Sequence, residues 1–135
     1  MKLTWVLSCV LLFEWLSAAH AADAMKPSLP GVGQGKAFVQ TDGDELYAAA
    51  CQVCHMPEGA GAQGAASYPA LAKDPRLKAK VFPIARVLNG SKAMPPFRDV
   101  LSDEQIAAVV AYVRSSFGNH YTDRVSVDDV KALRQ

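Results

Sequence analysis

The sequence predicts an all-α domain, because its apolar residues recur at helical rather than strand spacing. After Ser102 they lie three and four positions apart, and shorter apolar runs elsewhere each follow a helix start signal. No stretch alternates apolar and polar residues as a half-buried strand does. The chain has 135 residues, of which 50% are hydrophobic and 20% charged, the size and composition of one globular domain. We therefore expect short helices around a single core.

The first helix is expected to begin at Asp42, because Asp42 and Glu45 have the spacing of a capping box. It is predicted to carry Cys51 and Cys54 on or just past its last turn, on one side of the helix. An irregular loop rich in glycine and proline is expected at 56–68.

Two short helices are predicted in the middle of the chain. Asp74 followed by proline is a start signal for the first, which should run to about Lys80. Pro83 should end that helix, push the preceding residue out of the helical region and begin the second helix. Gly90 should supply the left-handed cap that stops the second helix.

The strongest helix signal begins at Ser102, the expected N-cap, with Gln105 completing a capping box. Its apolar face comprises Ile106, Val109, Val110, Val113 and Phe117. Gly118 is the expected stop. A last short helix should open at Ser126.

The first 21 residues have the features of an export signal. Lys2 precedes an apolar run at 3–13, and Ala-His-Ala at 19–21 has the form of a signal-peptidase site. We expect cleavage after about Ala21 and a periplasmic mature chain. Glu14 leaves an uncleaved anchor open as the alternative, although the run is shorter than the roughly 20 apolar residues of a spanning helix.

The net charge is small, with 14 lysines and arginines against 13 aspartates and glutamates. Removal of residues 1–21 takes away one of each, so the total favours neither nucleic acid nor an anionic membrane as a partner. Residues 73–98 are nevertheless basic, with Asp74 as their only carboxylate. The cations are Lys73, Arg76, Lys78, Lys80, Arg86, Lys92 and Arg98. This basic stretch is either a solvated face or a docking surface, since complementary charge orients partners.

The residues that carry chemistry are Cys51, Cys54 and His55. Once Cys9 is lost with the signal, two thiols remain, which excludes a disulfide framework by count. The pattern Cys-x-x-Cys-His is the attachment site of a c-type haem, in which both thiols bond to the vinyl groups and the histidine ligates iron. A redox dithiol would need a βαβ surround, and structural zinc would need a fourth ligand at suitable spacing, so both alternatives are weaker.

An electron-transfer haem needs a second axial ligand, and Met94 is the best candidate. It lies on a segment stiffened by two prolines, far enough along the chain from His55 to reach the other side of the ring. Met56 is too close to His55 for this. Met25 lies in the lead-in, and His120 follows the strong helix. Histidine and methionine together leave iron no open position, which favours electron transfer over catalysis.

Core filling is the alternative role for Met94, as for many single methionines. The iron would then be five-coordinate, and the protein would be a haem enzyme or a gas sensor. Binding of carbon monoxide distinguishes the two cases.

Taken in order, the motifs resemble a class I cytochrome c. They are Asp42 to Tyr47, Cys51-x-x-Cys-His55, Tyr68-Pro69-x-Leu71, Leu88-Asn89-Gly90, Met94-Pro95-Pro96-Phe97 and Leu101 to Ile106. The resemblance implies short helices wrapped around one covalent haem, with the first and last helices of the domain crossing. It places the cytochrome domain at 42–118, between an extended lead-in at 22–41 and a C-terminal tail with a short helix at 119–135.

The resemblance also implies particular contacts. The helix-crossing contacts are those of Gly43 and Tyr47 with Val109 and Tyr112. The Pro69 carbonyl would accept the Nδ1 proton of His55, which orients the imidazole. Leu71 would pack on the haem face.

A narrower resemblance concerns Met94 to Phe97 and Tyr112 to Asn119, which are similar to haem domains in cytochrome subunits of bacterial periplasmic alcohol, sugar and aldehyde dehydrogenases. Those subunits usually carry three haem motifs, whereas this chain has one. The resemblance implies a single-haem carrier, either a monomer or a subunit of a dehydrogenase complex. Its donor would be a periplasmic dehydrogenase, and its acceptor a terminal oxidase or another cytochrome. We expect no nucleic-acid partner and no transmembrane segment in the mature chain.

Overall fold

The computed structural model describes residues 38–64 and 67–135, and its helices confirm the all-α prediction. In chain order they are α1 (Gly43–Leu46), a π-helical turn (Tyr47–Cys51), α2 (Gln52–His55), a 3-10 helix (Pro75–Lys78), α3 (Val81–Asn89), α4 (Asp103–Ser115) and α5 (Val127–Arg134). Extended pairing within these residues is limited to two isolated bridges, 62 with 68 and 91 with 94. The expected signal at 1–21, Met25 and most of the lead-in at 22–41 lie outside the described residues.

The first three elements follow one another directly, so the chain is helical from Gly43 to His55. The predicted start is right, but the predicted capping box is wrong, because the Asp42 side chain makes no cap hydrogen bond. Asp42 and Glu45 are both exposed, so water is available to the first N–H groups. Cys51 closes the π-helical turn and Cys54 lies in α2, as expected near the helix end.

Gly43 brings this helix into close contact with α4. A β-carbon at Gly43 would lie 2.4 Å from the Ala108 carbonyl oxygen and 2.7 Å from the Tyr112 β-carbon. The predicted contact with Tyr112 is therefore present, and the other nearest neighbour is Ala108 rather than Val109. Only glycine allows two helix backbones to approach this closely. The first and fourth helices cross as the resemblance implied.

The N-terminus of α4 forms as predicted, with both halves of the capping box between Ser102 and Gln105. The Gln105 amide also donates to the carbonyls of Phe38 and Gln40, at 2.7 and 2.8 Å. Phe38 is buried, so these bonds fix the chain entering the domain. The four α4 residues of the predicted apolar face, Ile106, Val109, Val110 and Val113, are buried.

The end of α4 differs from the prediction, because the helix stops at Ser115 and does not include Phe117. Phe117 instead has a left-handed backbone, with φ of 57°. This conformation is uncommon for a bulky residue. It places the Phe117 ring 4.9 Å from the Tyr47 ring and 5.5 Å from the Tyr112 ring, measured between centroids. Aromatic packing across the crossing helices therefore replaces one more helical turn.

The middle helices form with shifted bounds. The Asp74 side chain accepts from the N–H of Arg76 and caps the 3-10 helix, which ends at Lys78. The prediction that Pro83 begins the second helix is wrong, since α3 starts at Val81. Pro83 lies in the first turn of α3, where its missing N–H needs no helical partner. Gly90 follows the last residue of α3, so the predicted stop is right, but its φ of 69° and ψ of −177° are not those of the predicted left-handed cap.

The C-terminal tail packs on the domain. α5 begins at the predicted cap, where Ser126 and Asp129 form a capping box, and it contacts α3 and α4. Val125 and Val130 are buried in the same core as Leu46, Ile84 and other apolar residues of the first four helices. None of the described helices has the length and apolar character needed to cross a bilayer.

Candidate haem site

The two cysteines lie close together at the end of the first helical segment, both unpaired and partly buried. Burial, and then the neighbouring Cys54, raise the pKa of the Cys51 thiol to about 12. A redox dithiol needs the opposite environment, one that lowers a thiol pKa towards neutrality. Two thiols three positions apart on one helical side are instead placed to bond to one ligand.

His55 is buried and its ring is held in one orientation. The Nδ1 atom donates to the Pro69 carbonyl oxygen at 2.9 Å, the hydrogen bond implied by the resemblance. Since a carbonyl only accepts, Nδ1 carries the proton and Nε2 is the nitrogen that can bind a metal. Metal-binding histidines in proteins commonly show this arrangement.

The loop between His55 and Pro69 folds back on the motif. Gly61 donates to the His55 carbonyl at 3.1 Å, and Ala62 and Tyr68 exchange two main-chain hydrogen bonds. A β-carbon at Gly61 would lie 2.4 Å from the Tyr68 carbonyl oxygen and 2.6 Å from the Ala70 nitrogen. Gly61 also has a φ of 66°, so the loop needs glycine here for both space and backbone angle.

Tyr47 contributes a contact that the sequence did not predict. Its hydroxyl donates to the Met56 carbonyl at 2.7 Å, directly after His55. The Tyr47 side chain is buried, and this burial raises the pKa of its hydroxyl well above the ordinary value. A neutral hydroxyl is therefore available as a permanent donor that ties the end of the motif to the helix crossing.

Met94 lies on a tightly held turn. Met94 and Ser91 exchange main-chain hydrogen bonds of 2.9 and 3.0 Å, and Phe97 donates to the Val87 carbonyl at 2.9 Å. A β-carbon at Gly90 would lie 2.5 Å from the Met94 carbonyl oxygen, so this glycine permits the turn. The Met94 and Leu71 side chains are half-buried against the core. His120, the residue after Asn119, is exposed.

Arg114 is a second residue that the sequence did not single out. Its side chain is fully buried, at 0% exposure. It donates to the carbonyls of Leu77 and Lys78 at 2.8 and 3.0 Å, and it pairs with Asp123 at 2.5 Å. It therefore joins the 3-10 helix to the tail. The sequence carries no signal for this burial, because two of the partners of Arg114 are backbone carbonyls more than 35 residues away in the chain.

These residues fit a covalent haem. The two thiols can bond to its vinyl groups, the oriented imidazole can bind its iron, and Leu71 and Met94 offer half-buried apolar surface. The site and helical fold together define a c-type cytochrome.

Comparison with known proteins identifies the family. Residues 39–113 match the family described as cytochrome C oxidase, cbb3-type, subunit III. The chain belongs to this cytochrome c family, and it binds one haem c covalently through Cys51 and Cys54.

Curated relatives are also cytochromes. The cytochrome c subunit of the quinone alcohol dehydrogenase of Gluconobacter oxydans is 31% identical and matches 79% of this chain. The fructose dehydrogenase cytochrome subunit of Gluconobacter japonicus is 36% identical over 70% of it. Cytochrome c6 of Leptolyngbya boryana is 39% identical over 53% of it.

The relatives differ in how much of them this chain represents. The chain spans 28% of the alcohol dehydrogenase subunit and 22% of the fructose dehydrogenase subunit, but 85% of cytochrome c6. It therefore corresponds to a single cytochrome c domain.

Proposed function

We propose that the protein carries single electrons in the periplasm, with His55 and Met94 as the axial ligands of its haem. The hydrogen bond from His55 to the Pro69 carbonyl is the observation that supports this most directly. It leaves Nε2 for iron and makes the imidazole a stronger electron donor. Bound haem c would supply an iron that gains and loses one electron reversibly.

Met94 supports the second half of the proposal. Its backbone is fixed on both sides, by the Ser91 bonds before it and by the Phe97 bond after the two prolines. A fixed backbone reduces the entropy that a side chain loses when it binds iron. Thioether ligation raises the reduction potential, and two axial ligands leave no position for substrate. Both effects suit electron transfer.

The proposed donor is a periplasmic dehydrogenase, and the proposed acceptor is a terminal oxidase or another cytochrome. Two relatives are named as dehydrogenase cytochrome subunits, which supports the donor. The apolar run at 3–13 and the Ala-His-Ala site support export. We also propose that the cytochrome domain spans residues 42–118 and is followed by a C-terminal tail at 119–135.

The test is to express the full chain in a host that attaches haem c and to determine its ligands. We expect a mass one haem above the mature polypeptide, c-type bands on reduction, and the red charge-transfer band of methionine-ligated ferric haem. Met94→Leu should lose that band and allow the reduced protein to bind carbon monoxide.

Met56→Leu is the matched control, since Met56 lies next to His55, and it should keep the band. Rapid binding of carbon monoxide by the parent protein would refute Met94 as a ligand and favour a five-coordinate haem enzyme or sensor.

A further inference from the structure

The Pro69 carbonyl belongs to a segment without regular structure, so its position depends on neighbouring contacts. Before it, Tyr68 is paired with Ala62 through bonds of 2.8 and 3.0 Å. After it, Leu71 and Ala72 both donate to the Gly59 carbonyl, at 2.7 and 2.9 Å. These contacts hold the loop to itself. The Gly61 N–H bond to the His55 carbonyl, at 3.1 Å, ties the start of the loop to α2, and a second link, to α4, is needed to hold the segment that follows Pro69.

Asn119 provides that link. It lies four residues past the end of α4 and is 3% exposed. Its Nδ2 donates to the carbonyls of Leu71 and Val113, both at 2.8 Å, and its Oδ1 accepts from the N–H of Asp74 at 3.0 Å. Two acceptors and one donor surround the amide, which determines its orientation.

The amide therefore joins the segment after Pro69 to the last turn of α4. The main chain adds one parallel contact, from the Lys73 N–H to the Phe117 carbonyl at 3.2 Å. Among the side chains in the described part of the molecule, Asn119 is the one that hydrogen-bonds to both ends of residues 71–74. Two of its bonds, to the Val113 carbonyl and from the Asp74 N–H, are buried and therefore costly to break, because those groups would lose their partners without reaching water.

We infer that Asn119 is a positioning residue for His55, acting through the Pro69 carbonyl. The inference rests on the proposed binding of iron by His55. A firmly placed carbonyl strengthens the Nδ1 hydrogen bond, which increases the electron density that the imidazole gives to iron. Such donation stabilises ferric more than ferrous iron. Loss of the Asn119 side chain should therefore weaken the Nδ1 bond and raise the reduction potential.

The test compares Asn119→Ala with Asp123→Asn in the haem-loaded full chain. Asp123→Asn is the control, because it removes the ion pair with Arg114 at the same end of α4 but leaves residues 69–74 bonded as before. Two quantities are measured: the reduction potential, and by NMR of the reduced protein the rate at which the His55 Nδ1 proton exchanges with solvent. We expect Asn119→Ala to raise the reduction potential. It should also speed proton exchange roughly tenfold, the change that the loss of one hydrogen bond produces. The control should change neither.

If Asn119→Ala does not load haem, Asn119→Ser replaces it in the test, because the serine hydroxyl leaves one polar partner in the cavity. It should shift both quantities in the same direction by less. Parental values of potential and exchange in the asparagine variants, or equal shifts in Asp123→Asn, would overturn the inference. Absence of a haem-bound imidazole signal from the parent itself would instead overturn the proposed function, so the two failures are distinguishable.

Discussion

Two regions of the molecule without long helices are held in place by different forces. The Pro69 loop (residues 57–64 and 67–74) is fixed by main-chain hydrogen bonds, glycines that allow close contacts and the neutral amide of Asn119. Beyond Asn119, the tail (residues 119–135) is held by the burial of Val125 and Val130 in the core and, unlike the loop, by several ion pairs. Its ion pairs are Arg114 with Asp123, Lys80 with Asp129 and Arg134 with Asp103.

This difference matches the tasks of the two regions. Neutral hydrogen bonds and steric fit depend little on salt or pH. Ion pairs weaken as the salt concentration rises and as their carboxylates are protonated at low pH. The neutral contacts that orient His55 are therefore little affected by salt or pH, and the ion pair of the loop, between Asp74 and Arg76, lies at its far end. The tail covers α3 and α4 with contacts that conditions can loosen. The following predictions test whether this contrast holds.

The largest effect is expected from Gly61→Ala in the Pro69 loop. The new methyl group would collide with three backbone atoms of residues 68–70, at a φ of 66° that alanine avoids. We expect a loss of about 3 kcal/mol in the free energy of unfolding, from strain and overpacking together. Denaturant unfolding of the haem-loaded protein measures it.

Gly64→Ala is the matched control for this substitution. Gly64 also has a positive φ, of 156°, but a β-carbon there would meet nothing within 4 Å. Gly64→Ala should lower the free energy of unfolding by only about 1 kcal/mol, the cost of backbone strain alone. Equal losses in both variants would contradict the role given to close contact in the loop.

Arg114→Met should have the next largest effect, on the tail. Methionine keeps much of the apolar stem but removes every donor, so the buried Leu77 carbonyl loses its partner. We expect a loss of about 2 kcal/mol in the free energy of unfolding. Arg124→Ala, at an exposed position in the same tail, should change it by less than about 0.5 kcal/mol. A small effect of Arg114→Met would mean that water replaces the guanidinium.

The sequence predicted those parts of the molecule whose signals are local. The caps of α4 and α5 need only neighbouring residues, so Ser102 and Ser126 were identified correctly. The haem motif is likewise contiguous. The hydrogen bond from His55 to Pro69 was available only through family resemblance, because no spacing rule pairs a histidine with a carbonyl fourteen residues later.

The wrong end predicted for α4 arose where distant contacts override local preference. Phe117 leaves the helix because packing on Tyr47 and Tyr112 compensates for a left-handed backbone. Arg114 and Asn119 each satisfy backbone atoms that are more than 35 residues away in the chain. Such roles follow from tertiary structure, which periodicity and capping rules do not encode.

A pH dependence should separate the two regions further. Hydrogen bonds from Lys80 first, and then from Ser126, hold the pKa of Asp129 far below its ordinary value. A carboxyl with a lowered folded pKa contributes stability that is complete above its unfolded pKa, about 3.9, and is lost as pH falls further. The hydrogen bond from Arg114 likewise lowers the pKa of Asp123, so this carboxyl also contributes stability that is lost in acid. The protein should therefore lose stability between about pH 5 and pH 2.

Asp129→Asn should flatten this dependence, which thermal unfolding of the haem-loaded variants at a series of pH values measures. Asp128→Asn is the control, since Asp128 is exposed and forms none of the ion pairs found within the described residues. If Asp129→Asn loses stability on acidification as steeply as the parent, the tail is not tethered by this carboxylate.

The smallest effect is expected on electron exchange at the basic stretch. Lys80 is bound to Asp129 at 2.8 Å and to the Arg124 carbonyl at 3.1 Å, so it belongs to the tail tether. The Lys78 side chain is exposed and has no carboxylate within 4 Å among the described residues, so it can meet a partner. Lys78→Glu should slow reduction by anionic hexacyanoferrate roughly two- to threefold at low salt and leave stability unchanged.

Lys131→Glu makes the same change in net charge on the exposed surface of α5, outside the basic stretch. Stopped-flow rates over a range of ionic strength should show a smaller slowing for Lys131→Glu than for Lys78→Glu, and the salt slope should flatten more for the latter. Equal slowing would mean that only total charge matters. The basic stretch would then be a solvated face, and the charges of this molecule would serve to hold its tail.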